Sequence, residues 1–317
     1  MVVGEITQER DLVIIGGGPG GYSAAIRGAQ LGLSVTLVEQ ADIGGVCLNK
    51  GCIPSKIFTH AAAKRSETTH LHNLGIGTGD DTFNLRQLLT YKTKVIDGLR
   101  VGVEHLCKEN KIEVIAGKGT FLGVDRIGVE NGHQFDIFEF KQAIIATGSS
   151  PKMPPGFEKT GNRILLSHEI FELDELPEHL IIIGQDYIAL EVASSFFTLG
   201  AKVSILVDNN EDFPFDESIN KELSRLFKRR KISVSRVVDL ISINEIDGGM
   251  TVTFQTDKKS EETIQGTYLF ISGSRQPNVE PLGISRLGIE QTDEGYIKID
   301  GNMRTSIPMI YAIGDVT

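Results

Sequence analysis

Residues 11–40 read DLVIIGGGPGGYSAAIRGAQLGLSVTLVEQ, and the order of apolar runs and glycines in this stretch decides the fold. The apolar run 12–15 predicts a strand, the Ala-rich segment 22–31 a helix, and 35–38 a second strand that closes on Glu39. Between the first strand and the helix, Gly16, Gly18 and Gly21 fit G-x-G-x-x-G. In that pattern the first glycine makes a tight turn, the second lets the backbone approach a pyrophosphate, and the third lets helix and strand pack closely. The pyrophosphate sits on the helix N-terminus, where unpaired N–H groups and the helix dipole favour an anion. Glu39, at the end of the second strand, is placed to accept hydrogen bonds from a ribose. Glycine turns between strands and helices are common. The strand before, the helix after and the acid at the right distance make this one a dinucleotide site.

The layout recurs at 179–208, HLIIIGQDYIALEVASSFFTLGAKVSILVD, with a strand at 180–183, a helix at 187–199 and a strand at 203–207. Here Gly184 is followed by Asp186 at the second glycine position and by Ala189 at the third. Alanine is a tolerated variant there, whereas Asp186 adds a side chain and a negative charge where a pyrophosphate should lie. Glu39 lies 23 residues after Gly16, and the residue 23 after Gly184 is Val207, so the acidic ribose partner is missing. Asp208 is adjacent, but successive strand side chains point to opposite faces. No Lys or Arg follows in DNNEDF, so a 2′-phosphate site is not indicated.

Together these segments predict an α/β fold of two Rossmann-like, doubly wound units, the second inserted in the first. The first unit is expected at 1–150, a nicotinamide-nucleotide-binding-like unit at 151–273, and a return to the first at 274–317. KQAIIATGSSPKMPPG reads as a buried strand, a small-residue turn and a Pro-rich crossover. TYLFISGSRQPN repeats the strand-then-turn idea, and MIYAIGDVT is a further strand ending on Gly314 and Asp315. Leu85, Leu88, Leu89, Val95, Ile96 and Leu99 recur at helical spacing.

The chain of 317 residues has 40% hydrophobic residues and 35 glycines, which suits a well-packed globular protein. A net charge of −10 argues against binding nucleic acid, because phosphate backbones are held by Lys and Arg. Glu5, Glu9, Arg10 and Asp11 interrupt the N-terminus where a secretory signal needs an apolar run, and no stretch approaches the ~18 apolar residues of a membrane span. A cytoplasmic location away from membranes is the expectation.

Cys47 and Cys52 lie in GGVCLNKGCIPSK, 44–56, and could form a metal half-site, a structural disulfide or a redox centre. Zinc needs further Cys or His ligands in matching spacing. Cys107 stands alone in VEHLCKENK and reads as a small buried hydrophobe; the seven histidines form no H-x₃₋₅-H pair, so no metal is expected. Three cysteines are also too few for a disulfide-stapled scaffold. A redox disulfide fits better. Residues five apart in a regular helix have α-carbons roughly 8 Å apart, beyond the ~7 Å limit for bridging. Gly44, Gly45 and Gly51 allow the needed distortion, and Pro54 restricts Ile53, so the segment is expected to be irregular yet rigid.

GGVCLNKGCIPSK, following IIGGGPGGYSAAIRGAQLG and VTLVEQ and joined by IIATGSSP, YIALE and MRTSIPMIYAIGD, resembles the dihydrolipoamide dehydrogenase branch of the pyridine nucleotide-disulfide oxidoreductases along nearly the whole chain. The resemblance implies FAD and NAD as cofactors and the reaction dihydrolipoamide plus NAD⁺ giving lipoamide plus NADH. It implies that Cys47 is the interchange thiol, that Cys52 is a thiolate lying against the flavin, and that Lys56 stands near the flavin paired with Glu191. For FAD it implies contacts from Gly16, Gly18, Gly21, Glu39, Gly45, Lys56, Gly119, Thr147, Gly148 and Asp315. On the nicotinamide side it implies Gly184, Tyr187, Ile188 and Gly273, with Tyr187 covering the flavin face. Asp186 and Val207 lead to the expectation that NAD binding is weak or lost. The family continues into a further domain that forms a homodimer and brings a His–Glu pair to the partner's active site. No histidine here lies in such a motif, so a chain without that domain, with impaired dimerisation, is expected. The implied partners are a lipoyl group or another small disulfide, and a 2-oxo acid dehydrogenase complex. Two other readings stay open: a non-catalytic FAD-binding domain, and a relative that reduces a different disulfide.

Overall fold

The computed structural model describes residues 7–77, 82–208, 213–257 and 259–317. In chain order the first elements are β1 (Thr7–Ile15), α1 (Pro19–Gln30), β2 (Val35–Glu39), α2 (Gly45–Asn49), α3 (Cys52–Asn73) and α4 (Leu85–Glu109). There follow β3 (Glu113–Ala116), β4 (Lys118–Phe121), β5 (Arg126–Asn131), β6 (Gln134–Ile145), β7 (Ser149–Pro151), β8 (Ile164–Leu166), β9 (His179–Ile183), α5 (Tyr187–Leu199) and β10 (Lys202–Asp208). The chain continues through α6 (Glu217–Arg230), β11 (Ser233–Ile246), β12 (Gly249–Thr256), β13 (Glu261–Gly266), β14 (Tyr268–Ile271), β15 (Arg275–Pro277), α7 (Ile284–Leu287) and β16 (Ile310–Ala312). Contacts divide the chain into two units, one of residues 1–49, 95–150 and 275–317, the other of 50–94 and 151–274.

In the first unit β3, β2, β1, β6 and β16 lie side by side and all pair in parallel. An antiparallel meander, β4–β5–β6, completes the sheet. The parallel strands are apolar because both faces are covered: Val13, Ile14, Leu37 and Ile145 are almost fully buried. Helix α1 lies close on this sheet through small residues, with Gly21, Ala25 and Gly28 buried. A β-carbon on Gly28 would come within 2.8 Å of Leu12 Cδ2, so a larger residue there would push the Leu12 side chain aside.

The second unit repeats the plan. β11, β10, β9, β14 and β8 are parallel neighbours, and β12 and β13 extend the sheet as an antiparallel meander. Its core gathers Phe196, Phe270, Leu180 and Ile182, each without measurable exposure. Residues 50–94, counted with the first unit in the sequence reading, group with the second. The reason is α3: Phe58 lies 5.7 Å from Phe196 and 5.1 Å from Phe171 between ring centroids, so this helix completes the second core.

The expected strands are present, and β1 begins at Thr7, ahead of its apolar run, where Thr7–Arg10 keep pairing with β6. The glycines at 44–56 supply the expected distortion: Gly44 and Gly45 have φ +104° and +60°, and Gly51 leaves the helical region. Cys47 lies in α2 and Cys52 opens α3, with Lys50 and Gly51 the only break between two helices. Pro54 falls in the first turn of α3, where backbone N–H groups have no intrahelical acceptor, so it starts the helix rather than disrupting it.

Candidate cofactor and redox site

Parallel pairing brings the carboxyl ends of β1, β6 and β16 to one edge, with Ile15 beside Ile145 and Ile145 beside Ala312. Three turns therefore emerge together: Gly16–Gly18, Thr147–Gly148 and the turn holding Asp315. That is where open α/β sheets hold ligands. Gly16 adopts φ +106°, and its N–H donates to Val38 O at 2.8 Å. A β-carbon on Gly21 would lie 1.8 Å from Gly16 O, so the loop folds back tightly on α1. Gly18 caps α1 without any side-chain acceptor, leaving the helix N-terminus open to an external anion. Glu39 accepts from Gly17 N at 2.7 Å and from Ala41 N at 2.8 Å, which fixes its carboxylate over the loop.

The segment carrying Cys47 is tied to that loop. Gly44 N–H donates to Gly17 O at 2.8 Å. Gly45 has φ +60°, and a β-carbon there would meet Gly18 Cα at 2.6 Å. Two glycines thus touch backbone to backbone at the start of α2. The far end of α2 is held by Asn49, whose Nδ2 donates to Gly45 O at 2.9 Å and Ile43 O at 3.1 Å, while Arg100 donates to Asn49 Oδ1 at 3.0 Å. Arg100 also pairs with Asp42 at 3.2 Å. Neither Asn49 nor Arg100 was singled out from sequence; Asn49 stands inside the quoted motif, but Arg100 is 51 residues away and on another helix.

The Thr147–Gly148 turn is locked from the returning segment. Asn278 Nδ2 donates to Thr147 O at 2.9 Å, Thr147 Oγ1 donates to Asn278 O at 2.8 Å, and Arg275 donates to Ser149 O at 2.7 Å. Gly148 has φ +67° with nothing within 4 Å of where a β-carbon would stand, so its face is open. Asp315 is exposed in the turn after β16. Gly119 lies buried in β4 with its missing β-carbon against Ile15. Beside Glu39 a cavity of about 830 Å³ is lined by Ala41, Asp42, Ile43, Lys108 and Ala116 among others. With the uncapped helix end, the fixed acid and this cavity, the residues present fit the adenosine and pyrophosphate of FAD. Cys107 is buried at the same place, and burial followed by the nearby Glu104 charge pushes its thiol up, which makes it an inert core group.

In the second unit Cys52 is exposed at the N-terminus of α3. One turn on, Lys56 Nζ donates to Glu191 Oε1, and Ser55 Oγ donates to Glu191 Oε2 at 2.5 Å. Burial raises the Glu191 carboxyl, but the hydrogen bonds from Lys56 and Ser55 and the Lys56 charge outweigh it and hold the group below its usual range. Ser55 is a third member of this cluster that the sequence reading missed. Cys47 is half-buried, and no disulfide is present among the described residues.

At the carboxyl ends of β9, β10 and β14 stand Gly184 to Tyr187, Asp208 and Ser272–Gly273. Gly184 N–H donates to Leu206 O at 3.1 Å, the same link that joins Gly16 to Val38, so Val207 is the counterpart of Glu39. Asp186 is the N-cap of α5: its Oδ1 accepts from Ala189 N at 2.8 Å, and Ser272 Oγ donates to Oδ1 at 2.8 Å and Oδ2 at 2.9 Å. Tyr187 is 66% exposed at the first position of α5, Ile188 packs partly on the core, and Gly273 is exposed with φ +129°.

A family model described as pyridine nucleotide-disulphide oxidoreductase matches residues 10–317. Dihydrolipoyl dehydrogenases of Geobacillus stearothermophilus and Staphylococcus aureus are each 38% identical over 100% of this chain, which spans 67% of their length. Among solved structures, the HOCl-induced flavoprotein disulfide reductase RclA of Escherichia coli, in a Cu(II) complex, superposes with a TM-score of 0.86 at 27% identity, over 98% of this chain and 67% of its own. LpdA of Mycobacterium tuberculosis gives 0.87 at 26% identity, over 98% of this chain and 68% of its own. Among the described residues no helix is long and apolar enough to cross a membrane.

Proposed function

Because the chain belongs to the pyridine nucleotide-disulphide oxidoreductases, and is a flavin-dependent, dihydrolipoyl dehydrogenase-like enzyme, we propose that it oxidises dihydrolipoamide or a closely similar dithiol through Cys47 and Cys52. The observation that carries this reading is the glycine-on-glycine contact of Gly45 with Gly18, which seats the helix bearing Cys47 on the nucleotide loop. In the proposed reaction the substrate dithiol attacks the Cys47–Cys52 disulfide; a substrate sulfur bonds to Cys47, and Cys52 leaves as a thiolate. The second substrate sulfur then displaces Cys47, releasing the cyclic disulfide product and leaving both cysteines reduced. FAD, held by Gly16, Gly18, Gly21, Glu39, Gly45, Gly119, Thr147, Gly148 and Asp315, supplies two-electron redox chemistry when bound. Lys56, steadied by Glu191, which Ser55 also holds, stands one turn along α3 from Cys52 and would face the flavin.

In the family's overall reaction NAD⁺ is the acceptor, giving NADH; in this chain Gly184, Tyr187, Ile188 and Gly273 lie on the nicotinamide side, and Asp186 and Val207 leave that binding weak or lost. The same reading carries a homodimer and a 2-oxo acid dehydrogenase complex that presents the lipoyl group. The test is an anaerobic titration of the FAD-reconstituted protein with dihydrolipoamide. A long-wavelength absorbance band that disappears in Cys52→Ser supports the proposal. A flavin that binds yet stays unchanged by excess dithiol overturns it.

A further inference from the structure

We propose that the second Rossmann unit is closed to a dinucleotide by its own side chains, Asp186 standing in the pyrophosphate position and Gln185 in the ribose position. This deepens the nicotinamide part of the proposed function and rests on assigning this unit to that nucleotide. The two loops share the hydrogen bond that joins them to the second strand: Gly16 N–H reaches Val38 O at 2.8 Å, and Gly184 N–H reaches Leu206 O at 3.1 Å. Gln185 and Asp186 are therefore the counterparts of Gly17 and Gly18.

At each of these two positions the chemistry is reversed. In the first unit the loop N–H of Gly17 donates to the Glu39 carboxylate at the strand end, at 2.7 Å. In the second the strand end donates: Asp208 N–H gives its hydrogen to Gln185 Oε1 at 3.0 Å. The carboxamide of Gln185 thus lies across the strand end where the first unit offers a carboxylate for a ribose, and Val207, the counterpart of that acid, is buried at 5% exposure. One residue on, α1 begins with Gly18 and no side-chain cap, whereas α5 begins with a carboxylate that takes the Ala189 N–H and both contacts of the Ser272 hydroxyl. A pyrophosphate at this helix end would compete with Asp186 for the Ala189 N–H and would meet its negative charge. Asp186 is an internal competitor with unlimited residence. Removing it creates affinity rather than destroying it.

The probe is ADP-ribose, which carries the pyrophosphate and adenosine ribose and is redox-inert, titrated calorimetrically into FAD-saturated protein. The wild type is expected to show no saturation up to about 1 mM, and Gln185→Gly/Asp186→Gly to bind at least about tenfold more tightly, a change of about 1.4 kcal/mol. Glycine is a tolerated N-cap, and Asp186→Ser keeps a capping hydroxyl should the glycine variant melt early. Binding to the wild type with a low-micromolar constant overturns the inference. So does the absence of tightening in whichever of these variants melts as the wild type does. Flavin content and reduction by dithiol, measured on the same samples, report on the proposed function separately.

Discussion

Gly45→Ala places a methyl group between the nucleotide loop and the helix that carries Cys47. At φ +60° an alanine pays about 1–2 kcal/mol for the left-handed backbone alone. Its β-carbon would lie 2.6 Å from Gly18 Cα, whereas carbons pack at about 3.5–4.0 Å, so the two backbones must separate by about 1 Å. Forcing extra volume into such a contact adds about 1–3 kcal/mol, for a total of about 2–5 kcal/mol. Gly132, in the turn between β5 and β6, isolates the contact, because it has φ +61° and nothing within 4 Å of its missing β-carbon. Gly132→Ala should therefore cost only about 1–2 kcal/mol. Thermal melts of both variants at saturating FAD should differ by about 2–12 °C, at about 2–4 °C per kcal/mol for domains of this size. Gly45→Ala should also retain less flavin after gel filtration. Coincident melts with equal flavin content would refute the claim that the backbone contact orders the site.

Glu191→Gln should cost about 1 kcal/mol at neutral pH, a small figure because Lys56 is 65% exposed. With the folded carboxyl held below its ordinary 4.5, the Glu191 contribution is complete above that value and lost as pH falls through the lower folded value. The gap in melting temperature between wild type and variant should then close on acidification below about pH 4.5; a gap independent of pH rejects the charge argument. Asn49→Ala removes the acceptor of Arg100 and three bonds to backbone carbonyls, so α2 should loosen by about 1–3 kcal/mol and Cys47 should alkylate faster with iodoacetamide; an unchanged rate counts against the latch. Phe196→Ala, at a site with no exposure and stacked on Phe58, should cost about 3–5 kcal/mol in urea denaturation, and a loss under about 1 kcal/mol would show that the second core does not depend on it.

Both glycine-rich loops and their flanking strands were legible because local composition determines them: α5 begins and ends at Tyr187 and Leu199 as its apolar spacing predicts. Counting from Gly184 to Val207 agreed with the backbone register, since a strand–turn–helix–strand unit leaves little room for insertion. Helix α3 was less legible. Its buried residues, Pro54, Ser55, Phe58 and Ala62, form one stripe with a single large apolar side chain, and its destination in the second core depends on Phe58 meeting residues over a hundred positions away. Ser55, Asn49, Arg100 and Asn278 act through bonds to distant carbonyls or carboxylates, and single polar residues carry no period that would reveal such partners. The reversal at Gln185 could not be read at all, because glutamine in a turn has no fixed direction until Asp208 N–H supplies one.

A binding loop that carries its own anion is complete when empty of ligand. Ligands protect a fold in proportion to the logarithm of their concentration over the dissociation constant, so a molecule that does not bind protects nothing. The first unit, with its open helix end, would survive longer in a cell rich in flavin. The second, satisfied by Asp186, would unfold and be degraded at a rate indifferent to the supply of nicotinamide nucleotide. Abundance of the protein would then follow one vitamin and ignore another.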